Sequence, residues 1–202
     1  MRRLIIYFLL YPCFTNGQII KDKTEGIDPN KMMISKNIFR ILLSASSDTK
    51  FSIAGNYERE IIKPITFVAK GGPAYDRQFT YRDIAGNDQY QWLFNFYASA
   101  ELRIYYNLKR RERTNKTVKN FSAFYFSIEE QIVSKPIYII NKTGNEDLKG
   151  RNAEFINIGY QYEKLGTYYN IFFGTKLPGP IYNNVVSGLD LLHIGISIGR
   201  AY

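Results

Sequence analysis

From Tyr90 to Leu108 the chain reads YQWLFNFYASAELRIYYNL. Every second residue is uncharged and mostly apolar: Trp92, Phe94, Phe96, Ala98, Ala100, Leu102, Ile104 and Tyr106. The row between them runs from Gln91 through Asn95, Ser99, Glu101 and Arg103 to Asn107, mostly polar and with both signs of charge. A period of two predicts a strand with two chemically different faces. The alternation outlasts the ~5–6 residues usual in a soluble sheet. It covers the ~9–11 residues that a tilted strand needs to cross a bilayer.

The same alternation recurs at 35–46, 50–58, 65–72, 121–132, 152–163, 167–176 and 191–202, giving eight segments with the one above. On the apolar parity, Phe94, Phe96, Leu102 and Ile104 are joined by Ile156, Ile158, Ile171, Phe173, Ile194, Ile196 and Ile198, the expected lipid-facing row. The opposite parity collects Arg40, Glu58, Lys70, Glu101, Arg103, Glu129 and Lys176, the expected ion network of a lumen. Glu130 falls on the apolar parity, so either its strand reaches the headgroups there or a bulge shifts the register.

Tight turns are expected at 47–49 and 164–166, a short link near Pro64, and a basic connection over 109–120. Three long connections are expected at 72–89, 133–151 and 177–190. An even number of antiparallel strands can close on itself and leave no edge. The fold class is therefore all-β, an eight-stranded antiparallel up-and-down transmembrane β-barrel. With the N-terminus in the periplasm, the long connections fall outside the cell.

Alternation alone does not say which face points outward. A secreted lipocalin-like ligand-binding barrel has the same period with the apolar rows inside. Three features favour the membrane. The polar row mixes small residues with both charges. Aromatics gather at segment ends, at Tyr57, Trp92, Tyr106, Tyr162, Tyr169 and Tyr202, as they do at membrane interfaces. The chain also ends on one of them.

The N-terminus adds an export signal. Arg2 and Arg3 precede the apolar run LIIYFLL, and Thr15 and Gly17 are small residues before a cleavage point at Gln18. The run is too short to span a bilayer. The expected organisation is a signal peptide at 1–17, a periplasmic leader at 18–33 and an outer-membrane barrel at 34–202. Cys13 is the only cysteine and leaves with the signal, which excludes a disulfide framework in the mature chain. Aromatics make up 16% of the chain, a richness that suits strands and interfaces alike. The net charge of +9 fits an anionic surface, which for an exported chain is lipid phosphate rather than nucleic acid.

The mature sequence resembles the small outer-membrane β-barrel proteins of Bacteroidota. The stretches that carry the likeness are TNGQ at the signal end, ELRIYYNLKRR running into the basic turn, the hairpin IGYQYEKLGTYYNIFFG and the C-terminal IGISIGRAY. The resemblance implies bacterial outer-membrane localisation, contact with outer-membrane lipids including lipopolysaccharide, and recognition of the last strand by the barrel-assembly machinery. Tyr202 fits that terminal signal, whereas Arg200 stands where the pattern has an apolar residue.

Candidate chemistry is sparse. Eight strands leave an interior just wide enough for side chains, so a filled lumen is expected rather than a channel. His193 is the only histidine and shares its parity with Ser197, ~13 Å away along a strand, too far for a catalytic pair. A lipid A-modifying enzyme is the alternative that a serine from another strand would favour. Lys109, Arg110, Arg111, Arg113, Lys116 and Lys119 lack the interleaved aromatics of a nucleic-acid patch and read as a solvated turn touching inner-leaflet phosphates. No cofactor motif and no metal-spaced ligand set is present. The expected role is non-enzymatic, structural or in surface interaction.

Overall fold

The computed structural model describes residues 37–82, 88–114, 119–140, 148–177 and 191–202. The expected signal peptide and leader lie outside them. Nine strands follow in order: β1 (Asn37–Ser46), β2 (Lys50–Ile62), β3 (Ile65–Arg82), β4 (Asp88–Ile104), β5 (Ala123–Val133), β6 (Tyr138–Ile140), β7 (Arg151–Lys164), β8 (Thr167–Lys176) and β9 (Leu192–Ala201). A short helix, α1 (Leu108–Arg113), and a single 3-10 turn at Lys119–Phe121 lie between β4 and β5.

Eight of the strands form a closed antiparallel barrel in the order β3-β2-β1-β9-β8-β7-β5-β4, with β4 returning to β3. The seam joins first strand to last, from Arg40 opposite Ala201 to Ser46 opposite Gly195. The lower end holds Asn37, Tyr202 and α1; the upper end holds the turn at 47–49 and the start of β7. β6 takes up the line of β5 after a detour at Ser134–Ile137. Ser134 N donates to Phe96 O at 2.8 Å and Ile137 N to Phe94 O at 2.8 Å, so Lys135 and Pro136 bulge out of the ladder.

Burial alternates with the sequence, and the apolar rows face outward. In β5 every residue from Ala123 to Val133 alternates buried and exposed. Phe96 is 55% exposed and Ile171 57%, while Glu101 is 2% exposed and Arg40 0%. The lipocalin-like arrangement, with apolar rows inside, is therefore not the one this barrel adopts.

Several expectations about extent need correction: the segment at 50–58 runs on to Ile62 and the connection at 133–151 contains β6. The segment at 65–72 is far longer, and the connection at 72–89 is mostly β3 pairing with β4 up to Arg82 opposite Asp88. Glycine and proline weaken strand interiors, yet this strand absorbs both Gly72 and Pro73. Pro73 pairs with Phe96 on the β4 side. On the other side the β2–β3 ladder skips from Ser52–Ala74 to Gly55–Gly71, so no bond is asked of the missing proline N–H. A β-carbon on Gly72 would lie 2.0 Å from the Ile53 carbonyl oxygen, so only glycine fits this crossing.

The segment starting at Tyr90 ends at Ile104 rather than Leu108, and α1 begins there. The fifth strand starts at Ala123 rather than Phe121, because Asn120 and Phe121 take positive φ of 50° and 61° in the preceding turn. Glu130 keeps its outward parity without a bulge, opposite Ala100 and the likewise outward Glu154.

Candidate functional site: the polar lumen

The inward rows of eight strands converge on a charged and polar interior. In its lower half, Arg40 of β1 donates through Nη1 to Glu58 Oε2 at 2.7 Å and Asn56 Oδ1 at 3.2 Å. Its Nε faces Glu163 Oε2 of β7 at 3.9 Å, on the far wall. The guanidinium also lies 4.3 Å from the centre of the Tyr168 ring. Glu58 gathers three neutral donors besides: Tyr105 Oη at 2.5 Å, Thr66 Oγ1 at 2.9 Å and Gln161 Nε2 at 3.3 Å. Gln161 in turn accepts from Arg103 at 2.6 Å and Tyr168 Oη at 3.1 Å.

Arg103 donates to Glu101 Oε2 at 2.7 Å and sits 4.3 Å over the Tyr125 ring. Lys70 bridges Glu101 at 3.0 Å and Glu129 at 2.8 Å. Three cations thus share four carboxylates: Arg40, Lys70 and Arg103 with Glu58, Glu101, Glu129 and Glu163. Such charges are costly to dehydrate, and only a network with few unmet lone pairs repays that cost. Most of these pairs link the same or neighbouring strands, whereas Arg40–Glu163, with the Gln161–Glu58 hydrogen bond, ties β1 and β2 to β7 across the lumen.

The interior is filled by pairing large inward side chains with glycines. A β-carbon on Gly159 would lie 2.3 Å from the Tyr125 ring, and one on Gly195 2.3 Å from the Phe172 ring. This small-against-large pattern is what a narrow barrel needs.

The lower mouth is closed by the connection after β4. Leu108 and Phe121 are each 1% exposed and pack with Ile38, Tyr105, Ala123 and Tyr125. Asn120 turns inward between them. Its side-chain amide donates to Glu163, and its carbonyl accepts from Arg40 at 3.3 Å and Gln161 at 3.1 Å. Lys109, Arg110 and Arg113 are exposed, in keeping with a solvated turn, whereas Leu108, Asn120 and Phe121 at its two ends form a stopper. The middle, 115–118, lies outside the described residues.

The upper mouth is crossed by a latch. Asp48, in the β1–β2 turn, accepts from Gln131 of β5 at 2.6 Å. Arg151 of β7 donates to the Asp48 carbonyl at 2.8 Å and to Asp76 of β3 at 3.0 Å.

The structure brings Arg40, Glu58, Lys70, Glu101, Arg103 and Glu129 into contact, directly or through one shared partner. Lys176 shares their parity but is half-buried near the upper rim and forms no ion pair among the described residues. Glu163, Asn120, Tyr105, Tyr168 and the Asp48–Arg151–Asp76 latch were not singled out by the sequence. Glu163 shares the inward parity of Gln161 and could have been read from it. The latch residues sit in or beside presumed connections, where parity gives no guidance.

The outward rows hold the expected lipid-facing residues. Phe94, Phe96, Leu102, Ile104, Ile158, Ile171, Phe173, Ile194, Ile196 and Ile198 are exposed, and Ile156 is partly covered. Tyr106, Tyr169 and Tyr202 are exposed at the lower end, with Tyr57 and Tyr162 partly covered nearby. Trp92 lies toward the upper end, stacked on Tyr75 at 5.0 Å.

His193 is inside the lumen, 2% exposed, between Phe155 at 3.8 Å and Phe172 at 4.8 Å. Asn157 gives its amide N–H to Glu129 at 3.2 Å, so its oxygen faces His193 Nδ1 at 2.9 Å and the imidazole donates. Ser197 is engaged by Ser44 at 2.9 Å instead. Among the described residues no cluster of three or more His, Cys, Asp or Glu has the geometry of a metal site. No family model, curated protein or solved structure matches the chain.

Proposed function

We propose that this chain is an integral β-barrel of the bacterial outer membrane with a structural or surface-interaction role and no catalytic activity. The observation that carries the proposal is the inversion of the barrel: apolar rows exposed all round, ions and amides inside. A half-exposed Phe or Ile leaves on the order of 100 Å² of apolar surface, so a dozen leave roughly 1,000 Å². Water-soluble monomers rarely expose a contiguous apolar patch beyond a few hundred Å². Hydrocarbon is the solvent that removes this penalty, and barrel closure satisfies the backbone within it.

The stopper at the lower mouth, the ion network within and the latch at the upper mouth support a non-conducting barrel. His193, stacked inside the lumen away from the outward wall, supports a non-enzymatic role. β3, β4 and β6 rise above the other strands, and this raised sheet is the surface best placed to meet the exterior. Recognition of β9 and Tyr202 by the barrel-assembly machinery belongs to the same reading.

The test is membrane fractionation followed by gel migration with and without boiling. The protein should sediment with the outer membrane and shift on heating. A soluble periplasmic protein with no heat shift would end the proposal.

A further inference from the structure

We propose that the lower rim is a docking collar for anionic phospholipid, with one headgroup seated in the groove between α1 and β5. The inference rests on the membrane reading above and adds to it a lipid class and a site.

The groove encloses about 380 Å³ and is lined by Tyr106, Asn107, Arg110, Arg111, Thr114 and Phe124. Its chemistry is divided as a lipid's is. Tyr106 and Phe124 point outward from the barrel wall, 66% and 42% exposed, with ring centres 6.1 Å apart. They continue the apolar outer rows of β4 and β5 and would lie along the first carbons of an acyl chain. Arg110 and Arg111 complete the lining of the groove and supply the cations that a phosphate would meet. Among the described residues Arg110 makes no ion pair.

The frame around the groove is fixed. Phe124 N donates to Asn107 Oδ1 at 3.1 Å, which ties the start of α1 to β5. Thr114 Oγ1 donates to the carbonyls of Arg110 and Arg111 at 3.1 and 3.2 Å and closes the last turn. Leu108, buried in the stopper, holds α1 against the barrel mouth. The arginines therefore project from a held element.

The charge of the whole rim agrees. Arg59, Lys63, Lys109, Arg113, Lys164 and Arg200 are all exposed at this end. Among the described side chains on its outside, Glu60 is the acidic one, and it is half-buried. Guanidiniums bind phosphate oxygens through paired N–H groups, and each cation near an anionic surface adds attraction that salt screens. An outer face with aromatics at the headgroup level and cations just beyond them fits phosphatidylglycerol or cardiolipin better than a zwitterionic lipid.

The experiment uses the full mature chain, folded in vesicles of phosphatidylcholine and checked for heat shift. Competition for a spin-labelled phosphatidylglycerol, read by quenching of an environment-sensitive dye placed next to the groove, measures lipid preference. The expected result is selective quenching by the labelled phosphatidylglycerol over labelled phosphatidylcholine. Arg110→Gln with Arg111→Gln should weaken it roughly fivefold per charge removed. Lys135→Gln, a charge change near the upper end, should leave it alone. A barrel that folds and shifts on heating yet shows no preference, or an equal loss in Lys135→Gln, overturns the collar and leaves the membrane reading standing. Displacement by millimolar inorganic phosphate as readily as by lipid would also overturn it, since the site would then hold a free anion. Failure to insert into any vesicle removes the membrane reading and the collar with it.

Discussion

Arg40→Met removes the most connected cation of the lumen while keeping a long, unbranched side chain. The guanidinium holds Glu58 at 2.7 Å, Asn56 at 3.2 Å and the Asn120 carbonyl at 3.3 Å, and it faces Glu163 at 3.9 Å. Breaking a buried pair by removing one partner costs about 3–5 kcal/mol, because the other charge is left behind. Two features set the position within that range. Glu58 keeps three neutral donors, which lowers the cost; Glu163 keeps only Asn120 from this group, which raises it. A loss of about 4 kcal/mol follows, a large share of the ~5–15 kcal/mol that holds a domain together. The assay is urea unfolding in lipid vesicles, followed by Trp92 fluorescence and by gel migration without boiling. Arg40→Met/Glu58→Met should cost less than the sum of its two single changes by at least ~2 kcal/mol, since the double removes the orphaned charge as well. Arg200→Met, on the exposed lower rim, should stay within about 0.5 kcal/mol of the parent. If Arg40→Met falls as little as Arg200→Met, or if the double change is additive, the lumen network does not brace this barrel.

The faces can be tested chemically. In a chain with Cys13 replaced by Ser, Phe96→Cys should, on the membrane reading, react with a lipid-phase maleimide and be shielded from a water-soluble one. Ser99→Cys, 7% exposed in the parent, should resist both until the protein unfolds. Phe96→Arg should cost roughly 2–4 kcal/mol if it lies near the bilayer midplane, read as a lower unfolding midpoint in vesicles. Gly72→Ala should destabilise by about 1–3 kcal/mol because its β-carbon meets the Ile53 carbonyl. Gly55→Ala, whose nearest neighbour would be a Phe39 ring carbon at 3.7 Å, should be tolerated in the same urea series. In planar bilayers the protein should show no stable conductance steps; large reproducible steps would mean that stopper and latch do not seal the lumen.

The strands were legible because each turns one chemistry to each side. Rows such as Phe94–Ile104 and Leu192–Ile198 keep one parity throughout, and at Glu130, where a bulge is one of two alternatives, the register runs on unbroken. The connection expected at 72–89 proved to be mostly strand, because a polar local composition does not record which neighbours pair with it. Within it, a gap in the β2–β3 ladder and a close backbone crossing accommodate Pro73 and Gly72. The stopper was not legible: Asn120 meets Arg40 from 80 residues away, and no local period records that approach. The inward aromatics Tyr105, Tyr125 and Tyr168 were visible as residues, but their use as lids over guanidiniums and partners of Glu58 depends on neighbours brought by closure.

The ion network also bears on how such a chain could be assembled. Its pairs join the first three strands to β7: Arg40 to Glu163, Glu58 to Gln161, and Asp76 to Arg151. In an open, curling sheet these groups remain hydrated and apart, and none of the cross-lumen bonds exists. They form together, when β9 meets β1 along the seam and water leaves the interior. A half-closed sheet would bear the cost of dehydration without the bonds that offset it. Closure is thus expected to be all-or-none, with unfolding showing one transition whether the probe sits on β2 or on β8.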